Sequence, residues 1–182
     1  MILYRVFPYD VSAAPTEPGG ALFVPQASGL GRIDNAALYD VLYLSAHSEA
    51  AIAEAFGPLP IWRPQTFVHA NGNPYALAAF TAPDDLAFFD LNDVRALDAI
   101  GIRHPSDVVT RDRTRTQAWA KIVFDRQCYV GARWWSFYNP DWPMLGLWDV
   151  RSLRLEHAPA IIDATHPAVR DAATAIVRQL TR

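Results

Sequence analysis

The chain has 182 residues, enough for one domain with a sizeable core. Hydrophobic residues make up 51% and charged residues 19%, a globular balance that excludes a disordered chain. The net charge of −3 argues against a dedicated nucleic-acid binder, and the single cysteine, Cys128, excludes an internal disulfide and a cysteine-based zinc site.

"ILYRVF" near the start reads as a strand, and "SAAPTEPGG" after it as a loop. The first residues lack a signal peptide's pattern, and no apolar run of about 18 residues exists to span a membrane. The expectation is therefore a soluble, cytoplasmic protein. "SGLGRIDN" is a second loop, punctuated by glycine. "YDVLYLS" reads as an apolar strand and "SEAAIAEAF" as a short helix stopped at Gly57. Pro58, Pro60 and Pro64 then predict an extended link.

"YALAAF" and "LAFFDL" read as two buried strands separated by a turn at "TAPDD". Asn92 is the expected cap of the helix "DVRALDAI", which stops at Gly101. "RTRTQAWAKIVFD" predicts the next helix, "YVGARWWSFY" a strand, "NPDWP" a turn and "LGLWDV" a further strand. Thr165 followed by Pro167 opens a closing helix that runs to about Arg182. Helices and strands mix without strict alternation and no linker divides them. The reading is a single α+β domain over residues 1–182, a mixed sheet flanked by short helices.

The helix after "LYLS" carries an oddity. Glu54 sits in its last turn, where the helix dipole disfavours negative charge. Alanines beside it leave room for a ligand to approach. Tyr43, eleven residues earlier, offers a flat ring with a hydroxyl. Arg32, beside Gly29 and Gly31 in the "GLGRIDN" loop, is a type that grips phosphate or diphosphate bidentately. Those glycines match neither a P-loop nor a dinucleotide-fold fingerprint. Ser136 follows the aromatic run of the late strand, and alternation places it on the face of Trp134 and Ala132. Four of the six tryptophans fall between Trp134 and Trp148, which suggests an aromatic-walled cleft.

Each residue also has a plain structural explanation. Glu54 and Arg32 suit a solvated surface, and Tyr43 and Ser136 suit a core. The run Arg111, Arg113, Arg115 and Lys121 reads as a solvated face, diluted by Asp107, Asp112 and Asp125. The histidines never occur at metal-ligand spacing, so no metal is expected.

Order and spacing add to these signals. The chain resembles the RES-domain family, named for an Arg, a Glu and a Ser. "YR" at Tyr4-Arg5 resembles the family's opening strand, and "GLGRIDN" its glycine–arginine loop, though Ile33 stands where an aromatic is common. "VLYLSAHSEAAIAEAFG" resembles the unit in which a Tyr precedes the Glu, and "GARWWSF" with "LGLWD" the serine strand. Asp34 and Asn35 take no assigned role.

The resemblance implies an ADP-ribosyltransferase-like fold and a toxin that consumes NAD⁺ by phosphorolysis or hydrolysis, with inorganic phosphate as the co-substrate in the first case. It also implies an Xre-type helix-turn-helix antitoxin as partner, and no direct role for nucleic acid or membrane. On this reading Glu54 is the catalytic acid. Arg32, with Arg5 second, holds the diphosphate. Tyr43 packs on the nicotinamide ribose or ring, and Ser136 fixes the nicotinamide end. Arg133 takes no role, because alternation points it away from the face of Ser136. Two other readings stay open: transfer of ADP-ribose to a macromolecule, and a non-catalytic nucleotide-binding or interaction module.

Overall fold

A computed structural model describes residues 1–181. The main sheet is built from β1 (Ile2–Pro8), β2 (Leu42–Ser45), β4 (Tyr75–Thr81), β5 (Phe88–Asp90), β6 (Gly131–Trp135), β7 (Pro143–Leu147), β8 (Arg154–Leu155) and β9 (Ala160–Ile161). Its order is β5-β6-β7-β2-β1-β4-β8, with β9 also paired to β4. The β5–β6 pair is parallel and the other pairs are antiparallel. The chain is an α+β domain, as its pattern predicts.

"YALAAF" and "LAFFDL" are consecutive in sequence yet do not pair. β5 lies five strand positions from β4, which is about 24 Å across a flat sheet at ~4.8 Å per strand. Residues 82–87, the link between them, would need to be fully stretched to reach about 24 Å, yet they turn at Asp84 and Asp85 and so fall short of it. The sheet therefore curls so that its two ends approach. Leu86 and Phe88 pack into the inside of the curl, against a core that includes Leu3, Phe7, Leu44, Phe80 and Leu145.

The other face carries the helices. α1 (Ser48–Phe56) buries Ala50, Ile52, Ala53 and Phe56, and its small alanines let it lie close to α4 (Pro167–Ala175) and β1. α3 (Arg113–Asp125) buries Trp119, Ala120 and Val123 against the same layer. Asp112 caps α3 by accepting from the N–H of Arg115. α2 (Val94–Ala99) starts one residue later than expected, because Asp93 rather than Asn92 is its cap; the Asp93 carboxylate accepts from the N–H of Arg95 at 2.8 Å. Among the described residues, no helix is long and apolar enough to cross a membrane.

The closing helix is shorter than predicted. The Thr165 hydroxyl donates back to Asp163 at the surface, and His166 takes the cap position. α4 ends at Ala175, and two residues on Val177 adopts φ 54°, which a β-branched residue rarely takes. The chain then pairs as β10 (Gln179–Leu180) in parallel with β3 (Ile61–Trp62), two short strands not expected from the sequence. Arg182, the predicted end of the helix, lies outside the described residues.

Close packing between β6 and β7 leaves no space at Gly131. A Cβ there would sit 2.2 Å from the carbonyl oxygen of Gly146, a main-chain atom that cannot step aside. Gly131→Ala is expected to destabilise the fold by about 1–3 kcal/mol, the scale of overpacking, read as a lower urea midpoint with unchanged slope.

Candidate active site

A cavity of about 300 Å³ opens where β1, β2, the end of α1 and the Gly31–Arg32 loop meet. Glu54 reaches it from the last turn of α1, with Ala51 and Ala55 beside it. Among the described residues no lysine or arginine forms an ion pair with Glu54. Its partner is Ser136, which lies just past the end of β6 and is only 2% exposed. The Ser136 hydroxyl donates to Glu54 Oε1 at 2.6 Å and accepts from the Tyr138 N–H at 3.0 Å. The proton and one lone pair of the hydroxyl are thus committed to protein, and Ser136 is not among the residues that line the cavity. Ser136 orients the carboxylate from behind instead of facing a ligand.

Arg32 borders the cavity, but much of its guanidinium is tied down. Nη1 donates to the carbonyls of Val108 at 2.6 Å and Thr110 at 2.9 Å, and Nη2 to that of Val109 at 3.4 Å. These bonds fasten the glycine loop to the segment before α3. Burial lowers the Arg32 pKa to about 10; the like charge of Arg113 adds to this, and Glu54 and Tyr43 oppose it. Arg32 therefore remains a cation at neutral pH.

Arg113 is a site residue that the sequence does not single out. The charge pattern groups it with a solvated face, and Arg115 and Lys121 do pair with Asp107 and Asp125 there. Arg113 instead turns into the cavity wall, donating from Nε to the Leu30 carbonyl and from Nη1 to that of Thr110. Among the described residues neither Arg32 nor Arg113 has an acidic partner within ion-pair distance. The guanidiniums of Arg32 and Arg113 and the carboxylate of Glu54 therefore line the same space.

Tyr43 presents its ring to the cavity, edge-on to Trp134 at 6.2 Å between centroids. Its hydroxyl is committed elsewhere. It donates to Asp34 Oδ1 at 2.7 Å and accepts from the Ile33 N–H at 3.1 Å. Burial, then the hydrogen bond and charge of Asp34, push the phenol well above its ordinary value. Asp34 is 4% exposed and also accepts from the Gly31 N–H at 2.9 Å and the Ser28 hydroxyl at 3.3 Å. It is the hub of the glycine–arginine loop. Gly31 is obligatory beside it, since a Cβ there would lie 2.2 Å from the Tyr43 hydroxyl. Asn35 and Gln117 tie the same loop to α3.

Arg5 borders the cavity from β1, but its guanidinium is committed elsewhere. Its strand neighbours Tyr4 and Val6 face the cavity layer, whereas Leu3 and Phe7, on its own side, belong to the core inside the curl. Its guanidinium lies over the Phe7 ring and donates to the carbonyls of Ala21 and Phe23. The aromatic wall is also smaller than predicted. Trp134 borders the cavity; Trp142 is core, and Trp148 packs on Tyr39 and Phe124. Arg133 points away, as alternation predicts, and pairs with Asp90. Among the described residues no group of three or more His, Cys, Asp or Glu side chains is arranged to hold a metal.

The family model described as the RES domain matches residues 2–174. The chain belongs to the RES domain family. Among solved structures, this RES domain is similar to a chain in the crystal structure of the M. tuberculosis MbcT–MbcA toxin–antitoxin complex. The TM-score is 0.62 at 16% identity, covering 97% of this chain and 88% of that one, a likeness of fold. No curated protein matches the chain.

Removing the hub tests the loop. Asp34→Ala leaves the Tyr43 hydroxyl and the Gly31 N–H without their partner, and is expected to cost about 1–3 kcal/mol in chemical denaturation. The same variant should bring the Tyr43 phenol down towards its ordinary range in an ultraviolet pH titration.

Proposed function

We propose that this RES domain cleaves the bond between nicotinamide and ribose in NAD⁺. The observation that carries the reading is a single carboxylate, Glu54, fastened by Ser136 beside two guanidiniums that lack acidic partners. An ordinary glycosidase needs two carboxyl groups, one of them an acid for a poor leaving group. Nicotinamide in NAD⁺ is already a pyridinium cation. When the C1″–N bond breaks, the electron pair returns to the ring nitrogen and nicotinamide departs neutral. One carboxylate then suffices, stabilising the positive charge that grows on the ribose.

The cations take the other end of the substrate. A diphosphate carries negative charge that Arg32 and Arg113 can meet. Both are already anchored on neutral carbonyls, so little side-chain entropy remains to be lost on binding. The ring of Tyr43 packs on the nicotinamide ribose, with Trp134 behind it. The acceptor oxygen, from phosphate or from water, forms the new bond at C1″. Water then releases a proton to solvent, whereas hydrogen phosphate transfers without one.

The fold likeness to a chain of a toxin–antitoxin complex supports a toxin role; the family resemblance implies an Xre-type helix-turn-helix antitoxin as its partner. Expression of the chain alone should arrest growth with a fall in cellular NAD⁺. Co-expression of a helix-turn-helix protein encoded beside it should restore growth. Growth unaffected by expression would remove the toxin role and leave the chemistry to be judged on its own.

The roles separate in steady-state kinetics on NAD⁺. Glu54→Gln should lower kcat by about 10²-fold or more with KM little changed, because it removes a charge that acts in the transition state. Arg113→Ala should act mainly on KM, raising it by about 10-fold or more, as expected for a charge-assisted contact of about 1.5–3 kcal/mol. Equal kcat for wild type and Glu54→Gln would end the assignment of Glu54. Products from reactions with and without phosphate distinguish ADP-ribose 1″-phosphate from ADP-ribose.

A further inference from the structure

A second cavity, of about 350 Å³, opens towards the opposite face of β1; Arg5 borders both it and the Glu54 cavity, and its guanidinium lies on the side of Leu3 and Phe7. Nη1 of Arg5 is committed to the carbonyls of Ala21 and Phe23. Among the described residues nothing accepts from its Nε or Nη2, and no carboxylate lies within ion-pair distance. Nor are these two atoms sealed in the protein as buried unsatisfied donors. The Nε–Nη2 edge of a guanidinium is a fork that matches the two oxygens of a carboxylate or phosphate. Burial without an acidic partner lowers the Arg5 pKa to about 10, so the side chain is still charged. A partly buried arginine usually has such a partner.

The rest of the wall suits an anion. Asn71 and Asn73 reach the cavity from the turn before β4. The Asn71 side-chain oxygen accepts from the Asn73 N–H, and among the described residues no acceptor takes its NH₂. Among the described residues the Asn73 amide has no partner for its side chain. The opposite wall is a loop that is itself well built. Gly20 donates to the Glu17 carbonyl, Leu22 to that of Pro15 and Asp10 to that of Gly19. Gly19, at φ 94°, holds the turn where a Cβ would strike Asp10. Asp10 is the one carboxylate on the wall. Its Oδ1 accepts from the N–H and hydroxyl of Ser12, and it lies open to water, where its repulsion is screened.

We propose that this cavity is a second binding site, separate from the Glu54 cleft, for a small molecule bearing a carboxylate or a phosphate monoester. The anion is gripped side-on by Nε and Nη2 of Arg5 and capped by the amides of Asn71 and Asn73. It completes the ion pair that the protein leaves open. The site does not depend on the NAD⁺ reading, and either can fail without the other.

The probes are inorganic phosphate and acetate, titrated at constant ionic strength into isotopically labelled full-length chain and followed by NMR. Binding should move the Arg5 Nε–H signal together with the Gly19 and Gly20 amides. The tighter of the two anions identifies the ligand class. Asn73→Asp leaves the Arg5 staple intact but brings a negative charge to the wall, and should weaken binding at least tenfold. Arg5→Lys keeps the charge and loses the fork, and should weaken it as well. Arg113→Ala should leave these shifts unchanged. An unmoved Arg5 Nε–H with both anions would overturn the proposal. So would shifts confined to Gly31 and its neighbours, which mark binding in the Glu54 cleft only, or shifts that Asn73→Asp does not weaken.

Discussion

The hydrogen bond from Ser136 to Glu54 joins two parts of the chain that are 82 residues apart. Glu54 ends a helix, where the dipole resists a negative charge. Ser136 ends a strand, and its own N–H is fixed to the Trp142 carbonyl at the corner leading into β7. The bond therefore fixes the carboxylate against the sheet, not against the flexible end of its own helix. A donor held this way costs nothing to reorganise when a ligand arrives. The oddity of a glutamate in the last helical turn is resolved by a partner supplied from the far end of the sequence.

The second constraint is charge. Arg32 and Arg113 both donate to Thr110, a neutral oxygen, so the segment before α3 orients two cations without cancelling either. Asp34 does the complementary work. It holds Tyr43 and Gly31 from behind and keeps the loop in the one shape that turns Arg32 towards the cavity. The site is thus a ring of side chains each locked by a second group, with one face left for substrate.

The sequence showed the principal side chains of the cleft but not how they are held. The pattern of "LYLS" and the alanine-rich helix identified Tyr43 and Glu54, and the glycines marked Arg32. The partner of Ser136 was not legible, because nothing local to residue 136 announces a carboxylate from another element. Arg113 was hidden by its helix, where charges at every second position look solvated and only the tertiary contact with Leu30 distinguishes one of them. Arg5 was legible in principle. Strict alternation through "LYRVF" sets its side chain with Leu3 and Phe7, away from Tyr4 and Val6. The place of β5 was not legible at all, since curling is a property of the whole sheet.

What the two charges and the carboxylate do together is most directly tested by one observation. Purified chain is incubated with NAD⁺ and the solution is followed by proton NMR. The account predicts that free nicotinamide appears and that the anomeric signal of the nicotinamide riboside disappears at the same rate. NAD⁺ that binds the protein and stays intact, with and without phosphate, would contradict it.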